Sequence, residues 1–137
     1  MVKIIVDGSE GILGRVGSFV AKELLKGKFV DLVNCEKLIV SGKKKVFVDR
    51  IKQKRKMGQG SSLKGPIYIR QPDRLVKRII RGMLPWDRAK GRDAHRRLKC
   101  YDGESGFKED ELKAAKKFKH RKPMKYSYMK EIVEALK

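Results

Sequence analysis

The stretch KIIVDGSEGILGRVGSFVAKELLKGKFVDLVNC, residues 3–35, decides the fold. Its aliphatic run Ile4, Ile5 and Val6 predicts a strand over residues 3–6, and Gly8, Gly11, Gly14 and Gly17 mark a tight passage into a helix. Leu13, Val16, Val20 and Leu24 recur at helical spacing and form an apolar stripe that Glu23 interrupts. Gly27 stands where a helix C-terminus would end, and residues 29–35 read as a second strand. Strand, helix and strand in this order make a βαβ unit, which favours parallel pairing and a right-handed crossover. The expected fold class is α/β, a small and mostly parallel sheet flanked by helices.

At 137 residues the chain has room for one domain. Its 36 Lys and Arg against 16 Asp and Glu leave a net charge of +20, and the excess is unevenly placed. Residues 1–40 hold six cations and five acids, whereas residues 41–137 hold 30 and 11. Self-repulsion of that size calls for a polyanionic partner. The organisation expected is a near-neutral βαβ scaffold over 1–40, basic elements over 41–103, and a variable loop with a C-terminal helix over 104–137.

Several classes are excluded on composition. A bilayer span needs about 20 apolar residues, and no apolar run here exceeds three. The three aliphatics before Asp7 are too few for a signal peptide, which favours an intracellular setting. Cys35 and Cys100 lie far apart in the sequence and outside any Cys-x-x-Cys pair, as reduced thiols would; a disulfide between them stays open. His95 and His120 have no metal-ligand spacing to a cysteine or to each other, so no zinc, metal or other cofactor is expected.

Past the scaffold, Ser41 is a candidate cap for a helix over residues 42–57 that carries Lys43, Lys44, Lys45, Arg50, Lys52, Lys54, Arg55 and Lys56. Three lysines in its first turn oppose the helix dipole, and a broken local rule of this kind marks functional surface. GQGSSLKGP, residues 58–66, is the clearest loop, and Ile67, Tyr68 and Ile69 follow as a short extended piece. Asp73 is a candidate cap for a helix over residues 73–82. There Arg74, Lys77, Arg78 and Arg81 fall within roughly 100° of arc, opposite Leu75, Val76, Ile79, Ile80 and Met83. A second short basic helix is expected across Arg88, Lys90, Arg92, Arg96, Arg97 and Lys99, then a turn at Asp102 and Gly103. Residues 104–122 are polar and poorly patterned; Ile132, Val133 and Leu136 predict a terminal helix.

The glycine turn invites a dinucleotide-binding reading, with Glu36 at about the position of a ribose-binding acid. The fingerprint fails: SEGILG, residues 9–14, lacks the first glycine of Gly-x-Gly-x-x-Gly and puts Glu10 where a pyrophosphate would approach. Close packing of helix on strand explains these glycines more simply. Catalysis has little to draw on, since both histidines stand among cations, as surface residues would, and no nucleophile is marked. Each basic segment alone is ordinarily a solvated face. Together, the charge excess, the helix with sorted arginines and the Gly/Ser loop between basic helices fit phosphate-backbone binding. A membrane-surface helix would expose its apolar side, but here that side belongs to a core. RNA is preferred to DNA, because no helix-turn-helix, zinc finger or basic zipper is visible. Tyr68, Trp86 and Tyr101 are candidates for stacking on bases or for the core.

RGMLP at residues 81–85, WDRAKGR at 86–92 and LKCYDG at 98–103 resemble universal protein thirteen of the large ribosomal subunit. Asp7-Gly8 with Leu13-Gly14-Arg15, Val33-Asn34-Cys35-Glu36 with Ser41-Gly42, and Gly65-Pro66 with Pro72-Asp73-Arg74 extend the resemblance over roughly residues 3–103 in family order. The wording is that of the archaeal and eukaryotic branch. The chain's stop at Lys137 fits the shorter archaeal form, and its single Asn and three Gln fit a thermophilic source.

The resemblance implies a three-layer α/β/α fold, no catalytic activity, and a cytoplasmic role as a structural constituent that binds large-subunit ribosomal RNA beside neighbouring ribosomal proteins. No small-molecule substrate is expected. The candidate RNA-binding residues are Lys43, Lys44, Lys45, Lys52, Lys54, Arg55 and Lys56 on the first basic helix, Lys64 and Arg70 around the loop, Arg74, Lys77, Arg78, Arg81 and Gly82 on the next helix, and Arg88, Lys90, Arg92, Arg96 and Arg97 beyond. Competing expectations are a free regulatory nucleic-acid binder and a small nucleotide-binding enzyme.

Overall fold

The computed structural model describes residues 2–58, 67–104 and 106–137. β1 (Lys3–Asp7) and β2 (Phe29–Val33) pair in parallel through all five residues of each, joined by α1 (Leu13–Leu25). Leu13, Val16, Val20 and Leu24 are all buried, so the stripe does face the sheet side. Gly27 sits just past the helix at φ +90, a left-handed conformation that glycine adopts without penalty. Glu23 is buried too, and it is held by Lys26 at 2.7 Å and Lys28 at 2.6 Å.

β2 stops at Val33 and does not run on to Cys35, because Asn34 turns left-handed at φ 55 and Cys35–Lys37 winds into a 3-10 turn. β3 (Ile39–Ser41) then leaves the main sheet. Ser41 therefore belongs to a strand and does not cap the next helix: α2 (Lys44–Lys56) starts from Lys43 with no side-chain cap. The predicted loop over 58–66, with Lys64, lies outside the described residues except for Gly58. Ile67, Tyr68 and Ile69 join no sheet.

α3 (Pro72–Arg81) begins one residue earlier than expected, with Pro72 in the first turn and Gln71 at the cap position. Asp73 lies inside that turn, where its charge favours the helix dipole instead of capping it. α4 (Ala89–Arg96) leads into β4 (Leu98–Cys100), which pairs in parallel with β2. Residues 104–122, read as poorly patterned, contain α5 (Glu109–Lys113) and β5 (Lys116–Lys117), the latter parallel to β1 at Val6 and Asp7. β6 (Tyr126–Tyr128) pairs antiparallel with β3, and α6 (Met129–Leu136) closes the chain as expected.

The main sheet has the order β4-β2-β1-β5, all parallel, with six helices around it among the described residues. α1 packs on α3 and α4, α2 packs on α6, and α5 touches β1. The expected three-layer α/β/α class stands. Leu75, Val76 and Ile80 of α3 and Met129, Ile132, Val133 and Leu136 of α6 complete one core with α1 and the sheet. Each such buried side chain contributes about 1.5–3 kcal/mol relative to exposure. α2 commits only Val48 and Ile51 to it, which is why its apolar and charged positions do not separate along the sequence. Met83, assigned to the core side, is over a third exposed, though its side chain lies against Gly17.

Candidate nucleic-acid interface

α2 and α3 bury one face and turn cations outward on the other. Between them runs a groove of about 430 Å³, lined by Phe47, Arg50, Ile51 and Lys54 of α2, by Leu75, Arg78, Ile79 and Arg81 of α3, and by Tyr68 and Gly82. The Arg78 guanidinium lies 4.5 Å from the Tyr68 ring centroid, and its Nη1 donates to the Ile67 carbonyl at 2.8 Å. Lys54 approaches the same ring at 6.0 Å. At the end of α3, Arg81 lies 4.9 Å from the Trp86 ring, which meets His95 edge-on at 5.2 Å. Arginine over an aromatic ring is a flat, charged platform suited to both phosphate and base.

Two further hollows hold predicted residues together. Lys52, Arg55, Lys56 and Arg70 share one with Lys137. Arg74 and Lys77 share the other with Asp73, Lys99 and Tyr101. Lys43, Lys44 and Lys45 are exposed at the start of α2, whose first turn carries no acid. Arg88, Lys90, Arg92 and Arg96 are exposed along and before α4.

Arg97 is placed differently: it is half-buried, and its Nη2 donates to the Leu24 carbonyl at 2.9 Å, closing the C-terminal end of α1. Arg55 also gives a bond inward, to the Leu136 carbonyl at 3.2 Å. Gly82 takes an ordinary right-handed φ of −65, so its backbone does not require glycine; it lines the groove, and a Cβ there would stand 3.3 Å from the Ile79 carbonyl oxygen.

Acids do not neutralise this surface. Among the described candidates only Arg88 and Arg96 meet a carboxylate, Asp87 at 3.9 Å and Asp93 at 3.3 Å, and both arginine side chains are 81% exposed. The buried acids Asp7, Glu23 and Asp31 instead pair with Lys117, Lys26, Lys28 and Lys3. Sequence reading left Arg50 off the candidate surface. Its spacing of i+3 from Phe47 and i+4 to Lys54 was the available signal.

The two histidines, expected on the surface, are half-buried against aromatic rings: His95 against Trp86, His120 against Phe118 at 5.8 Å. Burial, then the charges of Lys77 and Arg81, push the His95 pKa down and favour the neutral ring. Cys35 and Cys100 are free thiols brought side by side, and the neighbouring thiol with burial pushes Cys35 up. Among the described residues no group of three or more His, Cys, Asp or Glu could hold a metal, and no helix is long and apolar enough to cross a membrane.

The glycine turn is filled by the chain itself. The Gly8 amide donates to Val33 O at 2.9 Å and the Gly11 amide to Gly8 O at 3.1 Å. A Cβ on Gly11 would stand 2.6 Å from Val16, and Glu10 is tied to Lys122 at 3.0 Å. These are the contacts of a tight turn under a helix, and they support the packing reading over a dinucleotide site.

Comparison with known proteins agrees with the motifs. The family model described as Ribosomal protein L13 matches residues 2–106. The chain is 46% identical over 99 residues to the large ribosomal subunit protein uL13 of Archaeoglobus fulgidus, covering 72% of this chain and 62% of that one. It is 42% identical over 99 residues to its counterpart in Methanopyrus kandleri, covering 72% and 61%, and 45% identical over 100 residues to that of Methanosarcina barkeri, covering 72% and 70%. The match thus spans about three fifths of the length of the first two relatives. This is a family of ribosomal constituents and not of enzymes. With the family model matching residues 2–106, a span that holds the βαβ core, the basic helices and the RGMLP segment, the chain belongs to the Ribosomal protein L13 family of the large subunit.

Proposed function

We propose that the chain is a structural constituent of the cytoplasmic large ribosomal subunit that binds and stabilises folded large-subunit ribosomal RNA through its basic surface, beside neighbouring ribosomal proteins, and so supports assembly and translation. The observation that carries this reading is the split between paired and unpaired charge. Buried acids near the scaffold each have a lysine, whereas among the described residues no Lys or Arg of α2 or α3 forms an ion pair, the acids of those helices, Asp49 and Asp73, being far outnumbered. Unneutralised lysine and arginine at this density match a phosphate backbone, where they release condensed counterions.

Sedimentation of a native extract tests the role. A constituent remains with the large subunit through a sucrose gradient; a pool found mainly free of it would instead favour a regulatory binder working away from the particle.

A further inference from the structure

A surface that only neutralises phosphates needs no hollow with apolar walls. The groove between α2 and α3 has both features: four cations, Arg50, Lys54, Arg78 and Arg81, stand around a cleft that also exposes Phe47 and Tyr68. We propose that this groove holds one unstacked nucleotide of single-stranded RNA, with its phosphate among the four cations and its base against Tyr68 and Phe47. The proposal rests on the RNA-binding reading above and narrows it to one subsite.

Three observations point the same way. None of the four cations meets an acid among the described residues, so the charge is available to a ligand. The volume of about 430 Å³ falls in the range that encloses small ligands and suits a nucleoside. The aromatic platform is already fixed, since Arg78 holds Tyr68 by a cation–π contact at 4.5 Å and the adjoining backbone by its bond to Ile67 at 2.8 Å. A duplex keeps its bases stacked inside and can offer this groove only phosphates, whereas an unstacked base offers a flat face to bury. Both walls are built on helices whose inner faces are in the core, so the cleft exists before any ligand arrives.

The test uses the full chain with three fluorescent ligands: a single-stranded oligouridine of about ten nucleotides, an RNA hairpin of equal charge whose loop is a linker without bases, and a polyglutamate peptide. Tyr68→Ala is expected to weaken the oligouridine about tenfold and the hairpin less than about twofold, with Tyr68→Phe restoring the lost affinity. Gly82→Gln, at a groove-lining position with an undemanding φ where a Cβ would stand 3.3 Å from the Ile79 carbonyl oxygen, is expected to give the same selective loss should Tyr68→Ala fail to fold. Equal losses on oligouridine and hairpin, no loss on either, or an equal Tyr68-dependent affinity for polyglutamate would overturn the subsite. If the hairpin also fails to bind the unaltered chain at low salt, the RNA-binding reading falls with it.

Discussion

Asn34 Nδ2 donates to Asp7 Oδ1 at 3.0 Å and ties the C-terminal end of β2 to that of β1. Open α/β sheets bind ligands at this edge; here the chain fills it with its own polar groups. The same Asp7 oxygen accepts from the Ser9 amide at 2.9 Å, while Asn34 also donates to Glu104 at 2.8 Å and accepts from Lys37 at 3.3 Å. Burial pulls the Asp7 pKa upward, but the bonds from Asn34 and Ser9, with the charge of Lys117, outweigh it and hold the carboxyl below its usual range. Asn34→Ala leaves a buried carboxylate short of a donor and should cost about 1–3 kcal/mol. Urea unfolding measures it; an unchanged midpoint would mean that this link is not structural.

Glu23 sets part of the acid limit of the fold. Hydrogen bonds from Lys26 and Lys28 hold its carboxyl at about 2, below the unfolded value of 4.5. A depressed carboxyl contributes stability that is fully present above the unfolded pKa and is lost as pH falls through the folded one. The contribution should therefore fade between about pH 4.5 and 2. Thermal melts across that window should show a shallower acid decline for Glu23→Gln than for the unaltered chain, and parallel declines would refute the pairing.

Gly91 lies in α4, where a Cβ would come 2.0 Å from the Pro85 carbonyl oxygen. Backbone cannot swing aside as a side chain does, so α4 would have to shift. Gly91→Ala should destabilise by about 1–3 kcal/mol or more, against a gain in helix propensity of at most about 1 kcal/mol. A denaturation midpoint at or above that of the unaltered chain would contradict the close approach.

Lys44 and Lys45 give a prediction of opposite signs. Both stand in the first turn of α2, which has no acid and no side-chain cap. Replacing both with Ala relieves their repulsion with the helix dipole and should raise stability by about 0.3–1 kcal/mol per residue. The same change should reduce the salt-dependence slope of RNA binding by about 2, roughly one unit for each lost phosphate contact. Gained stability with unchanged RNA affinity would remove these lysines from the interface.

The first βαβ unit was legible because its signals are local: β1, α1 and β2 each satisfy their own pattern, and the parallel pairing follows from their order. α3 was legible for the same reason, with cations and aliphatics cleanly divided. β4, β5 and β6 were not, because each has only two or three residues and exists through a distant partner. Lys116 and Lys117 show no strand pattern; they become one beside Val6 and Asp7. Likewise Ser41 looked like a cap until Tyr126 paired with it. Of the interface, the basic helices were readable from charge alone. The groove was not, since Arg50 of α2, Tyr68 before α3 and Arg78 of α3 come to line one hollow only in the folded chain. Arg97 shows the reverse failure: its charge marked it for the surface, yet an open carbonyl at the end of α1 claimed it.

The central claim is that cations beyond residue 40 exist to neutralise a ribonucleic backbone. Titrating the chain against purified large-subunit ribosomal RNA at increasing salt tests it most directly. With 6–10 phosphate contacts, affinity should fall by about 10³ to 10⁵ between 50 and 200 mM salt; a nearly flat dependence on salt would contradict the account.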